Sequence, residues 1–91
     1  MNTIIVQIGN SDNKLTQREW ANFVSAVDTI INNCKQIHFR GGSPFDSSVQ
    51  NACWVFTYEG NIVDLKSRLT VIREAMRQDA VAITFGVTEF I

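Results

Sequence analysis

The chain of 91 residues contains few of the residue types that build metal, disulfide or catalytic sites: it has one histidine, two cysteines and one proline. A zinc site usually combines several cysteine and histidine ligands at short spacing, and the sequence has no Cys-x-x-Cys pair. Cys34 and Cys53 fall in or beside predicted regular structure, so we interpret them as buried thiols and not as a disulfide. The sequence therefore predicts neither a metal nor a cofactor.

The chain also lacks an excess of basic residues and any long apolar run. Its formal net charge is −1, which argues against a dedicated DNA- or RNA-binding protein. No apolar run approaches the ~18 residues of a membrane span, and no basic segment followed by an apolar one suggests a signal peptide. The hydrophobic fraction of 45% is ordinary for a globular protein. We expect one cytoplasmic domain over residues 1–91.

What the sequence does contain is a regular succession of hydrophobic periodicities. Thr16 and Glu19 form a capping box that starts the first helix, and Asn61 is a good N-cap for the second. The order β-α-β-β-α-β predicts an α+β, ferredoxin-like sandwich with a four-stranded antiparallel sheet and two helices on one face. The predicted strands are 3–8, 36–40, 52–58 and 80–86, and the predicted helices are 17–33 and 62–77.

Right-handed crossovers in such a fold bring three polar segments to one end of the sheet. These segments are residues 9–13 with the start of the first helix, residues 40–51, and residues 77–79; together we call them the loop end. They are the segments richest in Gly, Ser and Asn, whereas the opposite end receives shorter connections. A long irregular loop in a small domain is often functional, so the loop end is the predicted ligand site.

The loop end resembles an anion cradle. A glycine permits close approach of a ligand to the backbone, and the free N–H groups of a helix start favour negative charge. Arg40 and Arg77 could add charge, while Trp54 could stack on a base. We therefore predict a phosphate-bearing, nucleotide-like ligand. The candidate ligand-binding residues are Asn10, Ser11, Asp12, Asn13, His38, Arg40, Gly41, Gly42, Ser43, Gln50, Asn51, Trp54 and Arg77.

Each of these features has a plainer interpretation. Residues 10–13 can form a capped turn, and Arg40-Gly41-Gly42-Ser43 can be a flexible connection, since it matches neither a Walker motif nor G-x-G-x-x-G. The acidic side chains near this end can hold a magnesium ion beside phosphate or pair with the arginines, and we favour the pairing. These acidic residues are Asp12, Asp46 and Asp79.

The third strand can face either way. Trp54, Phe56 and Tyr58 share one face and Cys53, Val55 and Thr57 share the other, and each set makes an acceptable core. In both cases the alternation places four polar side chains on the face of the sheet that points away from the helices, the open face. An uncovered sheet face with much apolar area suggests a partner or a ligand. The four polar residues are Gln7, His38, Arg40 and Thr84.

Two groups of known proteins resemble parts of this chain. The element order and the aromatic third strand resemble an RNA-recognition-motif domain, but the strand over residues 4–8 lacks the expected aromatic residue and no Lys/Arg-Gly pair precedes strand 3. Several short strings resemble those of small bacteriophage and prophage proteins, which implies a role against or alongside host machinery and carries over no site residues. The strings are residues 8–12, 15–17, 50–54, 78–79 and 88–90.

Three functions follow as hypotheses, all with a homo-oligomer expected. The first is non-enzymatic capture of the nucleotide-like ligand, as in counter-defence sequestration by a phage protein. The second is a protein–protein inhibitor or assembly module that binds a host protein or another copy through the open face. The third is a small hydrolase or isomerase that uses His38 with Asp46 or Asp79, although a lone histidine is weak evidence for catalysis.

Overall fold

The computed structural model describes residues 2–10, 13–33, 36–44 and 49–91. These residues form a four-stranded sheet in the order β2-β3-β1-β4, with each neighbouring pair antiparallel. The order of elements along the chain is β-α-β-β-α-β, which confirms the predicted ferredoxin-like α+β fold. The elements are β1 Asn2–Gly9, α1 Gln17–Asn32, β2 Gln36–Gly42, β3 Asn51–Thr57, α2 Ile62–Ala75 and β4 Ala82–Val87.

Both helices begin at the predicted caps. The Thr16 hydroxyl accepts a hydrogen bond from the Glu19 N–H (3.2 Å), and the Glu19 carboxylate accepts one from the Thr16 N–H (3.1 Å). Asn61 caps α2 by accepting from the Val63 N–H at 2.9 Å. The apolar faces of the two helices pack on one face of the sheet, as their spacing predicts. Their buried members are Phe23, Val27, Ile31, Leu65 and Leu69. None of the described helices is long and apolar enough to cross a membrane.

The structure resolves which face of β3 is buried. Trp54 and Phe56 face the helices and have no exposed surface, while Val55 and Cys53 lie half-buried on the open face. The indole Nε1 of Trp54 donates to the Asp28 carboxylate of α1 at 3.0 Å, so the buried donor is satisfied. The aromatic row is therefore core. Cys53 is a free thiol, and Cys34 lies outside the described residues.

The prediction for β2 is wrong at Arg40, because a β-bulge interrupts the alternation. Ile37 pairs with Phe56 and Phe39 pairs with Val55, so His38 is an extra residue. The bulge leaves His38 and Phe39 on the open face and turns Arg40 toward the helices. There Arg40 binds α1: its Nε lies 2.7 Å from an Asp28 carboxylate oxygen, and its Nη2 donates to Asn32 at 3.0 Å.

Among the residues that the structure describes, the C-terminal tail covers one end of the open face. The C-terminal tail (residues 88–91) crosses it from β1 to β2, with a short hydrogen bond between the Thr3 and Thr88 hydroxyls and a ring contact of 6.3 Å between His38 and Phe90. His38 also shares a 2.7 Å hydrogen bond with Thr57. Thr3 and Thr57 are consequently buried although they point away from the helices. The other end of the open face stays exposed.

The Asp28 carboxylate should contribute more to stability than other acidic residues on the helices. In Asp28→Ala the buried indole N–H of Trp54 loses its acceptor and Arg40 loses its partner, which should lower the free energy of unfolding by about 2–3 kcal/mol. The matched control is Asp64→Ala, which removes an exposed carboxylate whose ion-pair partner among the described residues is Arg68, and it should cost under about 1 kcal/mol. Urea denaturation measures both. Equal losses would contradict this account of the core.

Candidate functional site

The three segments of the loop end do meet, and their buried polar groups bond to one another. Asn10 Nδ2 donates to the Gln50 side-chain oxygen (2.9 Å) and to the Leu15 carbonyl (3.0 Å), while the Leu15 N–H donates to Asn10 Oδ1 (3.0 Å). Gln50 Nε2 in turn donates to Gln17 at 2.9 Å. Asn10 and Gln50 are buried, and no buried side-chain nitrogen or oxygen of the described residues lacks a partner. This network closes the end of the sheet and leaves neither amide aimed at solvent.

The start of α1 already holds a negative charge. Glu19 sits in the first turn of α1, where the N–H of Thr16 donates to its carboxylate and Arg77 donates to it at 2.5 Å. The Thr16 hydrogen bond, followed by the Arg77 charge, lowers the pKa of Glu19 below its ordinary value of 4.5. Lys14 lies 3.6 Å from Asp79, so the basic partner of Asp79 is a lysine and not one of the arginines that the sequence suggested. An incoming phosphate would therefore meet an ionised carboxylate at this helix start.

The turn after α2 orients Arg77 toward this carboxylate. Arg77 has a positive φ of 57°, as does Asn13 in the first segment. Its N–H donates to the Glu74 carbonyl at 3.0 Å, and its guanidinium reaches the Lys14 carbonyl at 3.4 Å as well as Glu19. Arg77 thus ties the end of α2 to the start of α1. Ser11, Asp12 and Asp46 lie outside the described residues.

A groove beside α1 brings together six of the predicted site residues. It has a volume of about 360 Å³ and lies between α1 and the last residues of β2 and first residues of β3. Gly42 lets the two strands approach closely, since a Cβ there would collide with the Asn51 carbonyl. The Ser43 N–H donates to that same carbonyl at 3.0 Å. The predicted residues that line the groove are Arg40, Gly41, Gly42, Ser43, Asn51 and Trp54, and α1 adds Trp20 and Val24.

The groove contains only part of the predicted set of site residues, and two of its members are placed differently from the prediction. Trp54 contributes to the floor of the groove but is fully buried, so its indole has no exposed face on which a base could stack. Arg40 is on one wall with its charge offset by Asp28. Trp20 is half-buried and is the aromatic ring within reach of a ligand. Sequence reasoning assigned Trp20 only to the helix core, because its spacing with Phe23 and Val24 is that of an apolar stripe.

His38 lies away from both the groove and the loop end. Its contacts are Thr57 and Phe90 on the open face, whereas Asp79 lies at the loop end against Lys14. The described residues thus bring no carboxylate to the imidazole. They also contain no group of three or more His, Cys, Asp or Glu side chains placed to hold a metal ion. No protein-family model and no curated protein matches the chain.

Acid should weaken the junction that Glu19 makes between α1 and Arg77. Because the folded state lowers the pKa of Glu19, this contribution to stability is complete above the ordinary glutamate pKa of 4.5 and is lost as the pH falls through the lowered value. Glu19→Gln should remove this part of the pH dependence. Urea denaturation from about pH 7 to about pH 3 measures it, and an NMR titration gives the Glu19 pKa directly. A pKa at or above the ordinary value would contradict the assignment.

Proposed function

We propose that this chain is a non-enzymatic assembly module that binds a second copy of itself through the exposed end of its open face. One observation carries the proposal: a large aromatic side chain, Phe39, is 55% exposed there beside the half-buried Ile5 and Val55. Contiguous apolar surface of this kind marks interaction sites more often than inert surface. The β2 bulge creates this cluster, since it places Phe39 opposite Val55.

The charge of the open face favours a second copy as the occupant. None of the strand residues that point to this face is Asp, Glu, Lys or Arg, because the bulge turns Arg40 to the other side. A face without fixed charge can meet its own copy with no repulsion, and nothing in it selects for a charged partner. Two-fold association would also pair Phe39 with the same apolar cluster on the partner.

The area of the face sets the expected strength. Four strands at about 4.8 Å spacing and about 3.3 Å rise per residue give the whole open face an area on the order of 450 Å² on each copy, of which the exposed end is the part that the tail leaves uncovered. Stable interfaces usually bury about 800 Å² per partner, so the two faces alone suit a reversible dimer that forms with rising concentration. The exposed Phe90 and Ile91 of the tail add apolar area beside the face.

The dimer can be tested with one charged substitution and a matched control. Phe39→Arg puts a charge in the centre of the proposed interface and should raise the dimer dissociation constant by at least about tenfold. Val71→Arg adds the same charge at a residue of α2 that is 64% exposed, and it should leave the constant unchanged. Sedimentation velocity over a concentration series measures both. A wild-type chain that stays monomeric, or a dimer that both variants weaken equally, would reject the proposal.

Capture of a small nucleotide-like ligand is the second candidate, and the groove beside α1 is the observation that favours it. The groove contains two of the glycines that the sequence singled out, Gly41 and Gly42, and three of the polar residues, Arg40, Ser43 and Asn51. Its charges support the candidate less well, because Arg40 is paired with Asp28, and Arg77 is paired with Glu19 at the loop end. A host-directed, counter-defence role of the kind that the phage resemblance implies stays a prediction under either candidate.

Ligand capture predicts a different pattern of variants. If the base of a nucleotide stacks on Trp20, Trp20→Leu should lower the affinity of the chain for that nucleotide by at least about tenfold, since such stacking contributes about 1–3 kcal/mol per base. Arg77→Ala should have no effect, because Arg77 lies outside the groove. Native mass spectrometry of the purified chain with AMP, GMP and cyclic dinucleotides reports ligand mass and oligomer mass together. If none of these nucleotides binds, this candidate is rejected and the assembly proposal is unaffected.

A further inference from the structure

The two edges of the sheet differ in how well they are protected against pairing with another strand. β4 forms one edge and pairs only with β1 among the described residues. Its sequence, Ala-Ile-Thr-Phe-Gly-Val over Ala82–Val87, contains no proline and no charged residue, and its pairing with β1 has no register shift. Natural edge strands usually carry a charge, a proline or a bulge that blocks such pairing. β4 has none of these.

The opposite edge carries the protection that β4 lacks. In β2 the bulge at His38 shifts the register of the strand, and Arg40 places a charged side chain at this edge. The contrast between β2 and β4 within one sheet identifies β4 as the edge that is open to a further strand. Because the two edges differ within one sheet, the lack of protection at β4 does not follow from the small size of the fold.

A second feature lies directly above the β4 edge. A groove of about 200 Å³ runs between α2 and β4, with an apolar floor made by Leu69, Val81 and Ile83. Phe85 continues this apolar strip along β4 and is 54% exposed. A strand added beside β4 would send alternate side chains toward the helices, which places them over this groove. The groove therefore gives the added strand side-chain contacts as well as backbone hydrogen bonds.

The rim of this groove is basic. Lys66 lies above the Phe85 ring, with its Nζ 5.3 Å from the ring centroid, and no carboxylate of the described residues pairs with it. Arg73 lies on the same side of α2, where it donates to the Gln78 carbonyl at 3.1 Å and contacts only the exposed Glu74 carboxylate at 3.4 Å. A segment with acidic side chains fits this rim better than a second copy of the chain, whose own α2 would add like charges.

We propose that the β4 edge binds an extended acidic segment of another protein by strand addition. The backbone of the segment pairs with the free edge of β4, one apolar side chain enters the groove above Leu69, and carboxylates two residues to either side meet Lys66 and Arg73. This surface is separate from the open face, because strand addition extends the sheet sideways and leaves Phe39 uncovered. The inference does not depend on the assembly proposed above.

Two synthetic peptides test the charge and the mode of binding. The first is acetyl-Thr-Glu-Thr-Val-Thr-Glu-Thr-amide, whose Glu and Val side chains share one face of an extended strand; in the second, lysine replaces both glutamates. The glutamate peptide is titrated into the nitrogen-15-labelled full chain at low salt. It should shift the amide NMR signals of Ala82–Val87 and slow the hydrogen exchange of these amides. The lysine peptide should bind at least about tenfold more weakly. Equal binding of the two peptides, or no change at β4, would overturn the proposal.

A pair of variants separates the local charge from the net charge of the chain. Lys66→Glu should abolish the preference between the two peptides, because it leaves the rim with one acidic side chain, the introduced glutamate, and one basic side chain, Arg73. Arg68→Glu makes the same change in net charge on the side of α2 that faces α1, and it should preserve the preference for the glutamate peptide. If both variants lose the preference equally, the effect comes from the net charge of the chain, and the proposed site is overturned. If the amide NMR signals of β4 shift with protein concentration in the absence of peptide, the occupant is a second copy of the chain, and the proposal is also overturned.

Discussion

The Asp28 carboxylate holds together the part of the fold on which the rest depends. It accepts a hydrogen bond from the buried Trp54 indole of β3 (3.0 Å) and binds the Arg40 guanidinium of β2 (2.7 Å), so one side chain of α1 ties two strands to the helix. A buried tryptophan N–H needs an acceptor, and this one fixes which face of β3 is core. Arg40 can reach the same carboxylate only if β2 carries an extra residue before it.

That requirement explains the composition of the open face. Without the bulge, strict alternation would place Phe39 in the helix layer and Arg40 on the open face. With it, His38 and Phe39 both point away from the helices, and the only charged residue of β2 leaves the open face. The uncharged, partly apolar surface thus accompanies the turn of Arg40 toward the Asp28 carboxylate. The same bulge distorts the β2 edge, so the unprotected edge of the sheet is β4.

The polar residues of the loop end show why polarity alone is weak evidence for a ligand site. Chain segments that close the end of a sheet leave backbone groups without strand partners, and side-chain amides can satisfy them. Asn10 does this for both the N–H and the carbonyl of Leu15, and Gln50 completes the network. Glu19 likewise occupies the helix start that an anion would use. Residues suited to binding a ligand are here bonded to the protein itself.

Local patterns in the sequence were sufficient for the elements, the helix caps and the helix faces. Thr16 and Glu19 act within one turn, and the stripe from Phe23 to Ile31 needs only helical spacing, so neither depends on distant residues. The sequence could not decide the buried face of β3, because Val55 and Cys53 are apolar too. The sequence could not show the bulge, because the ion-pair partner toward which Arg40 points, Asp28, lies on a different element. The hydrogen bonds and ion pairs among the predicted site residues could not be predicted for the same reason: pairing between segments is invisible in a set of polar residues.

The tail connects the two surfaces to which we assign partners. It leaves β4 directly after Val87 and crosses the open face through Thr88 and Phe90, so its path begins at one surface and ends on the other. A strand added to β4 would pair beside the residues from which the tail departs, and a copy docked on the open face would lie near Phe90. Because the tail is held by few contacts and Phe90 is 77% exposed, its position can respond to either occupant. Residues 88–91 are therefore the part of the chain that lies next to both surfaces.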